Sequence, residues 1–169
     1  MDFLKLAESR YSVREYTSEK VEKDKLRLIL EAGRIAPTAA NIQPVRVIAV
    51  ESSDGLAKIG RAANLYNAPL ALIVLADRSK AWTRPFDNMQ TTHIDASIVT
   101  DHMMLEAASL GLGSVWICYF KSDVLRKEFD IPDNYDIVNI LAVGCSADCC
   151  SVPVKKRKAL ESFVSYETL

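Results

Sequence analysis

One long segment of the chain is apolar on nearly every side if it is helical, and this restricts the possible folds more than any other feature. The segment is THIDASIVTDHMMLEAASL, residues 92–110. A helix that is apolar on most faces is buried on most faces. In a chain of only 169 residues, we therefore expect a central helix, or a helix shared with a partner subunit. Its apolar positions are Ile94, Ala96, Ile98, Val99, Met103, Met104, Leu105, Ala107 and Ala108.

Short apolar runs elsewhere predict a sheet, and the segments between them predict helices. The run APLALIVLAD at 68–77 is almost continuously apolar, which is typical of a strand buried on both faces. Segment 78–91 has no periodicity and predicts a loop, and GLG at 111–113 ends the long helix. The remaining predicted strands are 45–51, 114–120 and 135–145, and the remaining predicted helices are 2–8, 22–36, 55–64 and 121–130. Interleaved strands and helices without a linker or an internal repeat predict one mixed domain over residues 1–169.

Charge and hydropathy argue against several functional classes. A net charge of −1 leaves no basic excess to neutralise phosphates, so we expect no nucleic-acid partner. No apolar run approaches the roughly 20 residues of a membrane span, so we expect no membrane partner. The first residues, MDFLKLAES, begin an amphipathic helix with an acid where a signal peptide would be basic. The chain is therefore expected in the cytoplasm.

The cysteines raise the question of metal or redox chemistry. The chain has four: Cys118, Cys145, Cys149 and Cys150. In a reducing compartment we expect free thiols. The run CSADCC has no second ligand pair at zinc spacing, and the only histidines, His93 and His102, lie far upstream, so we predict no metal site. Residues 145–150 are interpreted as a cysteine-rich loop after a buried strand, and Cys118 as a redox candidate for which core packing is the favoured alternative.

Three polar segments are chemically unusual, and the first is RYSVR at residues 10–14. Two guanidinium groups, from Arg10 and Arg14, flank the hydroxyl of Ser12. Arginine offers paired planar donors and serine adds a hydrogen bond, so together they can hold a phosphate. The alternative is a solvated surface loop, which two arginines alone would favour.

The second and third polar segments are APTAANIQPVRV at 36–47 and KKRK at 155–158. In the second, small residues let a flat ligand approach the backbone, and Asn41 and Gln43 can each donate and accept hydrogen bonds to the polar edge of a ring. The alternative is a helix stop at Pro37 followed by a turn. For KKRK the alternative is a solvated charge run, unless the fold returns it to the first segment.

Taken in series, these segments resemble the nitroreductase family of FMN-dependent oxidoreductases. The resemblance rests on SRYSVREY, ILEAGRIAPTAANIQPVRV, IDASIVTDHMMLEAASLGLGSVWICYF, NILAVGC and KKRKALESFV, and it covers almost the whole chain. It implies an α+β fold with a mixed, mainly antiparallel sheet flanked by helices, in an intertwined homodimer with FMN at the interface. Such a dimer suits the long apolar helix, because an exposed apolar face would seek a partner.

The resemblance also implies which residues would bind FMN. The phosphate would be held by the first motif and by the basic tail, at Arg10, Ser12, Arg14, Lys155 and Arg157. Tyr11 would contribute mainly its backbone. The isoalloxazine ring would be lined, from the neighbouring subunit, by Pro37, Thr38, Ala39, Asn41 and Gln43. The strand after the long helix would bring backbone groups near the ring at Val115, Trp116 and Ile117.

The activity implied by the resemblance is a ping-pong hydride transfer from NADH or NADPH, through FMN, to a small electron acceptor such as a nitroaromatic or a quinone. The flavin would carry the chemistry and the protein would orient it, so no catalytic side chain is predicted. Alternatives are a flavin-binding carrier or sensor without turnover, and a specialised FMN enzyme of the same fold, such as a dehalogenase or a flavin-fragmenting enzyme. A dimeric domain without a cofactor is the third alternative.

The loop at 78–91 is a candidate lid over the substrate pocket. The chain is short for the family that it resembles, and longer members carry extra helices at this place. Two aromatic residues, Trp82 and Phe86, lie with Arg84 in an otherwise polar stretch. We therefore expect these three residues to cover the substrate.

Overall fold

The structure is a computed structural model that describes residues 2–148 and 153–169. Its helices are α1 (Phe3–Ser9), α2 (Lys23–Arg34), α3 (Ser53–Gly60), α4 (Thr92–Ser109) and α5 (Ser122–Glu128). Its strands are β1 (Val45–Val50), β2 (Leu70–Asp77), β3 (Gly113–Ile117) and β4 (Tyr135–Gly144). Short 3₁₀ turns occupy Ala39–Asn41 and Leu160–Ser162.

The four strands form one sheet in the order β1-β2-β4-β3, and all three pairings are antiparallel. The central strand β2 is buried along its whole length, as its almost continuous apolar sequence predicts. Its side chains alternate between two cores, because Ile73 packs in the core that contains Leu125 of α5, and Leu72 packs in the core that contains Met103 of α4. Helices therefore cover both faces of the sheet, which confirms the predicted α+β class.

Helix α4 packs against the sheet, α2 and α1, which confirms the prediction of a central helix. The approach to α2 is close, because a Cβ on Gly33 would lie 2.8 Å from Met103 Cγ. Gly111 has a φ of +77° just beyond the end of the helix, where glycine is favoured. One side of α4 keeps apolar surface, since Ile94 is 47 % exposed. Neither α4 nor any other helix in the described part of the chain has the length and apolarity to cross a membrane.

The residues that follow α1 run along the outer edge of β3. Val13 donates its backbone N–H to the Ser114 carbonyl at 3.0 Å, and Ser12 forms a parallel bridge with Ser114. Further along, Tyr16 forms an antiparallel bridge with Ser146. An unpaired edge strand invites association with other chains. Residues 10–16, called here the edge segment, satisfy part of that edge.

Strand β3 is shorter than its apolar sequence predicts. It ends at Ile117 instead of 120, because its last partner in β4 is Ile140. The backbone N–H of Lys121 instead donates to the carbonyl of Ala62 at 3.0 Å. The chain therefore leaves the sheet just after the part that is predicted to approach a flavin ring.

The starts of four helices differ from the prediction by one or two residues, those of α3 and α5 among them. Helix α3 begins two residues before the predicted position, because the Ser52 hydroxyl accepts the backbone N–H of Gly55 at 3.1 Å and caps the helix. Helix α5 has Lys121 as its N-terminal cap residue, and Ser122 is its first helical residue. Both differences lie within the usual uncertainty of helix ends.

The last part of the chain forms no α-helix in the described residues 153–169. Its apolar side chains are largely exposed, with Phe163 at 85 % and Tyr166 at 82 %. Short helices are marginal in water unless an apolar face is packed. In the single chain these side chains are not packed, so they do not stabilise a helix.

Candidate functional site

The first polar segment lines a cavity of about 350 Å³ between α1, the end of α4 and the edge of the sheet. Arg10 is half-buried in its wall, and the Tyr11 hydroxyl lies 3.2 Å from Ser146 Oγ beyond β4. Arg14 is exposed, and its guanidinium donates to the Ser12 carbonyl at 3.4 Å. Both arginines that were predicted to hold a phosphate thus lie on the edge segment, but only Arg10 lines the cavity.

The basic tail returns to this segment. The ammonium of Lys155 donates to the backbone carbonyls of Ala7, at 3.2 Å, and Glu8 in α1. Burial lowers the pKa of Lys155, and the neighbouring charges of Arg10 and Arg157 lower it further. A nearby anion would favour the charged form of such a lysine. The structure therefore brings together three of the predicted phosphate-binding residues.

A buried serine lies in the wall of the same cavity. Ser114 is 2 % exposed and belongs to β3. Its Oγ has no hydrogen-bond partner among the described residues. A buried hydroxyl without a partner costs free energy that a bound ligand or water could recover. Sequence reasoning missed Ser114, because an isolated serine in an apolar strand carries no signal.

The predicted ring-lining segment, residues 37–43, is held in an uncommon backbone conformation. Ala40, Asn41 and Gln43 have positive φ angles of 49°, 54° and 57°, a region that residues other than glycine rarely adopt. The Thr38 hydroxyl accepts the Gln43 backbone N–H at 3.0 Å, and the Gln43 amide donates to Asn41 Oδ1 at 3.0 Å. The two carboxamides therefore bond to each other, and their exposed edges face solvent in the single chain.

A carboxyl group anchors this segment to α4. Asp95 is 1 % exposed, and its Oδ1 accepts the Ala39 backbone N–H at 2.9 Å. Its Oδ2 accepts the Thr91 hydroxyl at 2.9 Å. Sequence reasoning missed Asp95, although a carboxylate in the first turn of a buried helix is an available signal.

The strand predicted to approach the ring offers mainly its backbone. The side chains of Val115 and Ile117 pack in the core that contains Leu125, and Trp116 packs in part on the α4 side. Beyond the strand, Tyr119 is 95 % exposed. Two of the three predicted residues therefore have side chains committed to packing.

A single chain does not bring the ring-lining segment to the phosphate-binding segment. Ala39 is bonded at the first turn of α4, whereas Arg10 shares its cavity with Ala108 near the last turn. Helix α4 has 18 residues and is about 27 Å long. Thr38 and Gln43 line a different cavity of about 420 Å³, which shares no lining residue with the first.

The predicted lid is a small hairpin, residues 82–91, within the irregular segment before α4. Thr83 and Gln90 form an antiparallel bridge, and the Arg84 backbone N–H donates to the Met89 carbonyl at 2.9 Å. Phe86 lies at the tip and is 93 % exposed. The other two predicted lid residues are engaged within the hairpin: the Arg84 guanidinium pairs with Asp87, and the Trp82 carbonyl accepts the Thr91 N–H at 3.0 Å.

Of the two described cysteines, Cys145 is a poor candidate for thiolate chemistry. Burial raises the pKa of the Cys145 thiol, and the nearby Glu19 carboxylate raises it further, so the reactive thiolate is disfavoured. Cys118 is a free thiol and is exposed, so the core packing that was favoured for it is wrong, because the chain leaves the sheet after Ile117. Cys149 and Cys150 lie outside the described residues. Within residues 2–148 and 153–169, no group of three or more His, Cys, Asp or Glu side chains could hold a metal ion.

One family model and several known proteins are similar to this chain. The model described as the Nitroreductase family matches residues 7–64 and 57–145. A crystal structure of a nitroreductase family protein from Clostridium difficile 630 is 50 % identical and covers 100 % of both chains, with a TM-score of 0.96. A protein from Archaeoglobus fulgidus, provisionally named NADH dehydrogenase/NAD(P)H nitroreductase, is 31 % identical over 153 residues, or 86 % of each chain. The structure of an FMN-dependent nitroreductase from Clostridium difficile R20291 is 26 % identical, covers 98 % of this chain and 99 % of its own, and has a TM-score of 0.79.

Proposed function

The chain belongs to the nitroreductase family, and from this membership we propose that it is an FMN-dependent oxidoreductase that moves hydride from NADH or NADPH to a small electron acceptor in ping-pong order. A nitroaromatic or a quinone is the proposed class of acceptor. When bound, FMN would supply the hydride-accepting and hydride-donating chemistry. The observation that carries the proposal is the positive charge of Arg10, Lys155 and Arg157 around the start of the edge segment, where Arg10 lines the cavity.

The residues of that cluster fit the phosphate of FMN. Guanidinium and ammonium groups form short, charge-assisted hydrogen bonds to phosphate oxygens. Burial lowers the pKa of Lys155, and the charges of Arg10 and Arg157 lower it further, so an anion bound here would stabilise the charged ammonium. The unpartnered hydroxyl of Ser114, in the wall of the same cavity, could donate to a ligand or to a bridging water. Ser12 and Arg14 would complete the phosphate site from the edge segment.

A homodimer is part of the proposal, because the two halves of the site lie at opposite ends of α4. A two-fold axis pairs the same surfaces of two subunits. It could bring residues 37–43 of one subunit to the edge segment of the other. The apolar surface around Ile94 and the exposed tail residues Phe163 and Tyr166 support this, since such surfaces seek a partner. A cytoplasmic location is proposed with it, where thiols such as Cys118 stay reduced.

The direct test is an absorbance spectrum of the purified protein with FMN, recorded without oxygen before and after addition of NADH or NADPH. We expect flavin bands that bleach within seconds of addition and return when an acceptor is added. Bound flavin that stays oxidised with both nucleotides would favour a carrier, a sensor or a specialised enzyme fed by another reductase. Protein that binds no FMN would contradict the proposal.

We also propose that the 82–91 hairpin covers the acceptor, with Phe86 as the residue that reaches it. Phe86 is exposed at the tip, whereas Arg84 is paired with Asp87 and Trp82 is half-buried at the base. Truncating Phe86 to alanine is expected to raise the KM of an aromatic acceptor several-fold, because a stacked aromatic contact contributes about 0.5–1.5 kcal/mol. The KM for NADH or NADPH serves as the internal comparison. An unchanged acceptor KM in Phe86→Ala and in the double variant Trp82→Ala/Phe86→Ala would remove the hairpin from the site.

A further inference from the structure

We propose that Asp95 is a positioning residue that ties two separate segments, the ring-lining residues 37–43 and the 82–91 hairpin, to the first turn of α4. The two segments are distant in sequence, and each has been assigned above to one part of the flavin site. The inference therefore rests on the proposed function for its catalytic meaning. The hydrogen bonds that carry it stand independently of any bound flavin.

The link is a continuous set of hydrogen bonds through one buried carboxyl group. Asp95 Oδ1 accepts the Ala39 N–H at 2.9 Å, and Oδ2 accepts the Thr91 hydroxyl at 2.9 Å. Thr91 in turn donates its backbone N–H to the Trp82 carbonyl at 3.0 Å, which closes the base of the hairpin. The Thr91 hydroxyl has one proton and can donate it to one of two acceptors. Its 2.9 Å contact to Asp95 Oδ2 is shorter than its 3.3 Å contact to the Trp82 carbonyl, so Asp95 is the better acceptor.

The burial of Asp95 requires an explanation that simple helix stability does not provide. The residue is 1 % exposed, and removing a carboxyl group from water is costly unless its oxygens are hydrogen-bonded. A first-turn acid already interacts favourably with the helix dipole from an exposed position, so the dipole alone does not require burial. Burial additionally holds the two carboxylate oxygens in fixed positions, where one accepts from the ring-lining segment and the other from the hairpin. The arrangement is therefore suited to positioning.

The ring-lining segment needs such an anchor. Three of its residues other than glycine have positive φ angles, and a strained backbone persists only where its surroundings over-determine it. Within the segment, Thr38 and Gln43 supply a local clamp. Asp95 supplies the bond to a rigid helix, so the loop does not depend on local contacts alone.

Three substitutions separate the two links. Asp95→Ala removes both acceptors. Thr91→Val keeps the shape of the side chain but removes the hydroxyl, so it removes only the link to the hairpin. The start of α4 should not be affected, because the Thr91 hydroxyl makes no capping hydrogen bond to the helix. Asp95→Asn keeps an oxygen for Ala39 and can donate its amide to the Thr91 hydroxyl, so it should retain both links. Asp123→Asn is the matched control, since Asp123 is an exposed first-turn acid of α5.

The first measurement is amide hydrogen exchange on the protein without flavin. Asp95→Ala is expected to speed exchange at Ala39 and at the hairpin amides of Arg84 and Asn88 by about tenfold or more. Thr91→Val should speed exchange in the hairpin only, and both asparagine variants should leave it unchanged. Unchanged exchange at Ala39 in Asp95→Ala would overturn the proposal, and so would equal effects on both segments in Thr91→Val. If Asp95→Ala does not fold, Thr91→Val and Asp95→Asn still decide between these outcomes.

The second measurement connects the links to the flavin site. Asp95→Ala should weaken FMN binding and raise the acceptor KM, each by about tenfold. Thr91→Val should raise the acceptor KM while the Kd for FMN and kcat stay unchanged. If exchange follows the expected pattern but Kd and KM do not change, the positioning role at the site is wrong. If the wild-type protein binds no FMN, the proposed function fails, and the exchange data alone decide whether Asp95 ties the two segments.

Discussion

Replacing Arg10 with alanine is expected to weaken FMN binding by about 10- to 100-fold. A hydrogen bond to a charged group contributes about 1.5–3 kcal/mol, and each 1.4 kcal/mol corresponds to a tenfold change. Arg10 lines the cavity, and its charge acts on Lys155, so its loss removes both donors and charge. The Kd can be measured from the quenching of flavin fluorescence on binding.

The matched control for this variant is Arg61→Ala. Arg61 pairs with Glu128 on the surface, where its side chain is 55 % exposed, and such pairs contribute little to stability. Its loss should leave the Kd for FMN unchanged. Equal affinities for the wild type and Arg10→Ala would show that the phosphate is bound elsewhere. Equal losses in Arg10→Ala and Arg61→Ala would show a nonspecific effect of charge.

Gly113→Ala is expected to lower the free energy of unfolding by about 1–3 kcal/mol, the usual cost of an overpacked core, and to weaken FMN binding. A Cβ on Gly113 would lie 2.6 Å from Val13 Cγ2 and 3.0 Å from Val13 Cβ. Val13 is 3 % exposed and sits between Ser12 and Arg14, so relief of the clash must move the edge segment. Urea denaturation gives the first quantity and flavin titration the second.

A second substitution tests whether Val13 is the cause. Val13→Ala removes the atom at 2.6 Å, so the double variant Gly113→Ala/Val13→Ala should recover FMN affinity in part, although it loses a buried side chain. The two changes should be non-additive, as expected for residues in contact. Gly60→Ala is the control, because a Cβ there meets nothing within 4 Å. Additive losses in the double variant would place the effect of Gly113 away from the edge segment.

The elements that could be predicted from the sequence are those that depend on local pattern. The apolar circumference of α4 predicts a central helix, and the uninterrupted run of β2 predicts a strand buried on both faces. Gly111 predicts the end of α4 because left-handed backbone favours glycine. The sequence connects residues 10–14 with the basic tail only through the family resemblance. Each segment alone is equally typical of exposed, solvated charges.

What could not be predicted depends on contacts between distant segments. The anchoring role of Asp95 requires knowing that Ala39 and Thr91 converge on one carboxyl group. The unpartnered hydroxyl of Ser114 follows from its burial beside the edge segment, which no local pattern reports. The end of β3 at Ile117 is set by the register with β4. In each case a residue with ordinary local preferences acquires its role from the tertiary arrangement.

The position of the edge segment near the start of the chain affects when the candidate phosphate site can form during synthesis. Lys155 and Ala7, which meet at the candidate phosphate site, are 148 positions apart. A ribosome adds about 5–20 residues per second, so the first half of this site waits roughly 7 to 30 s for the second. For most of that time the segment cannot pair with β3 or β4, because β3 begins only at Gly113 and β4 at Tyr135. Any ligand of the site is therefore captured by the finished chain and cannot guide its early folding.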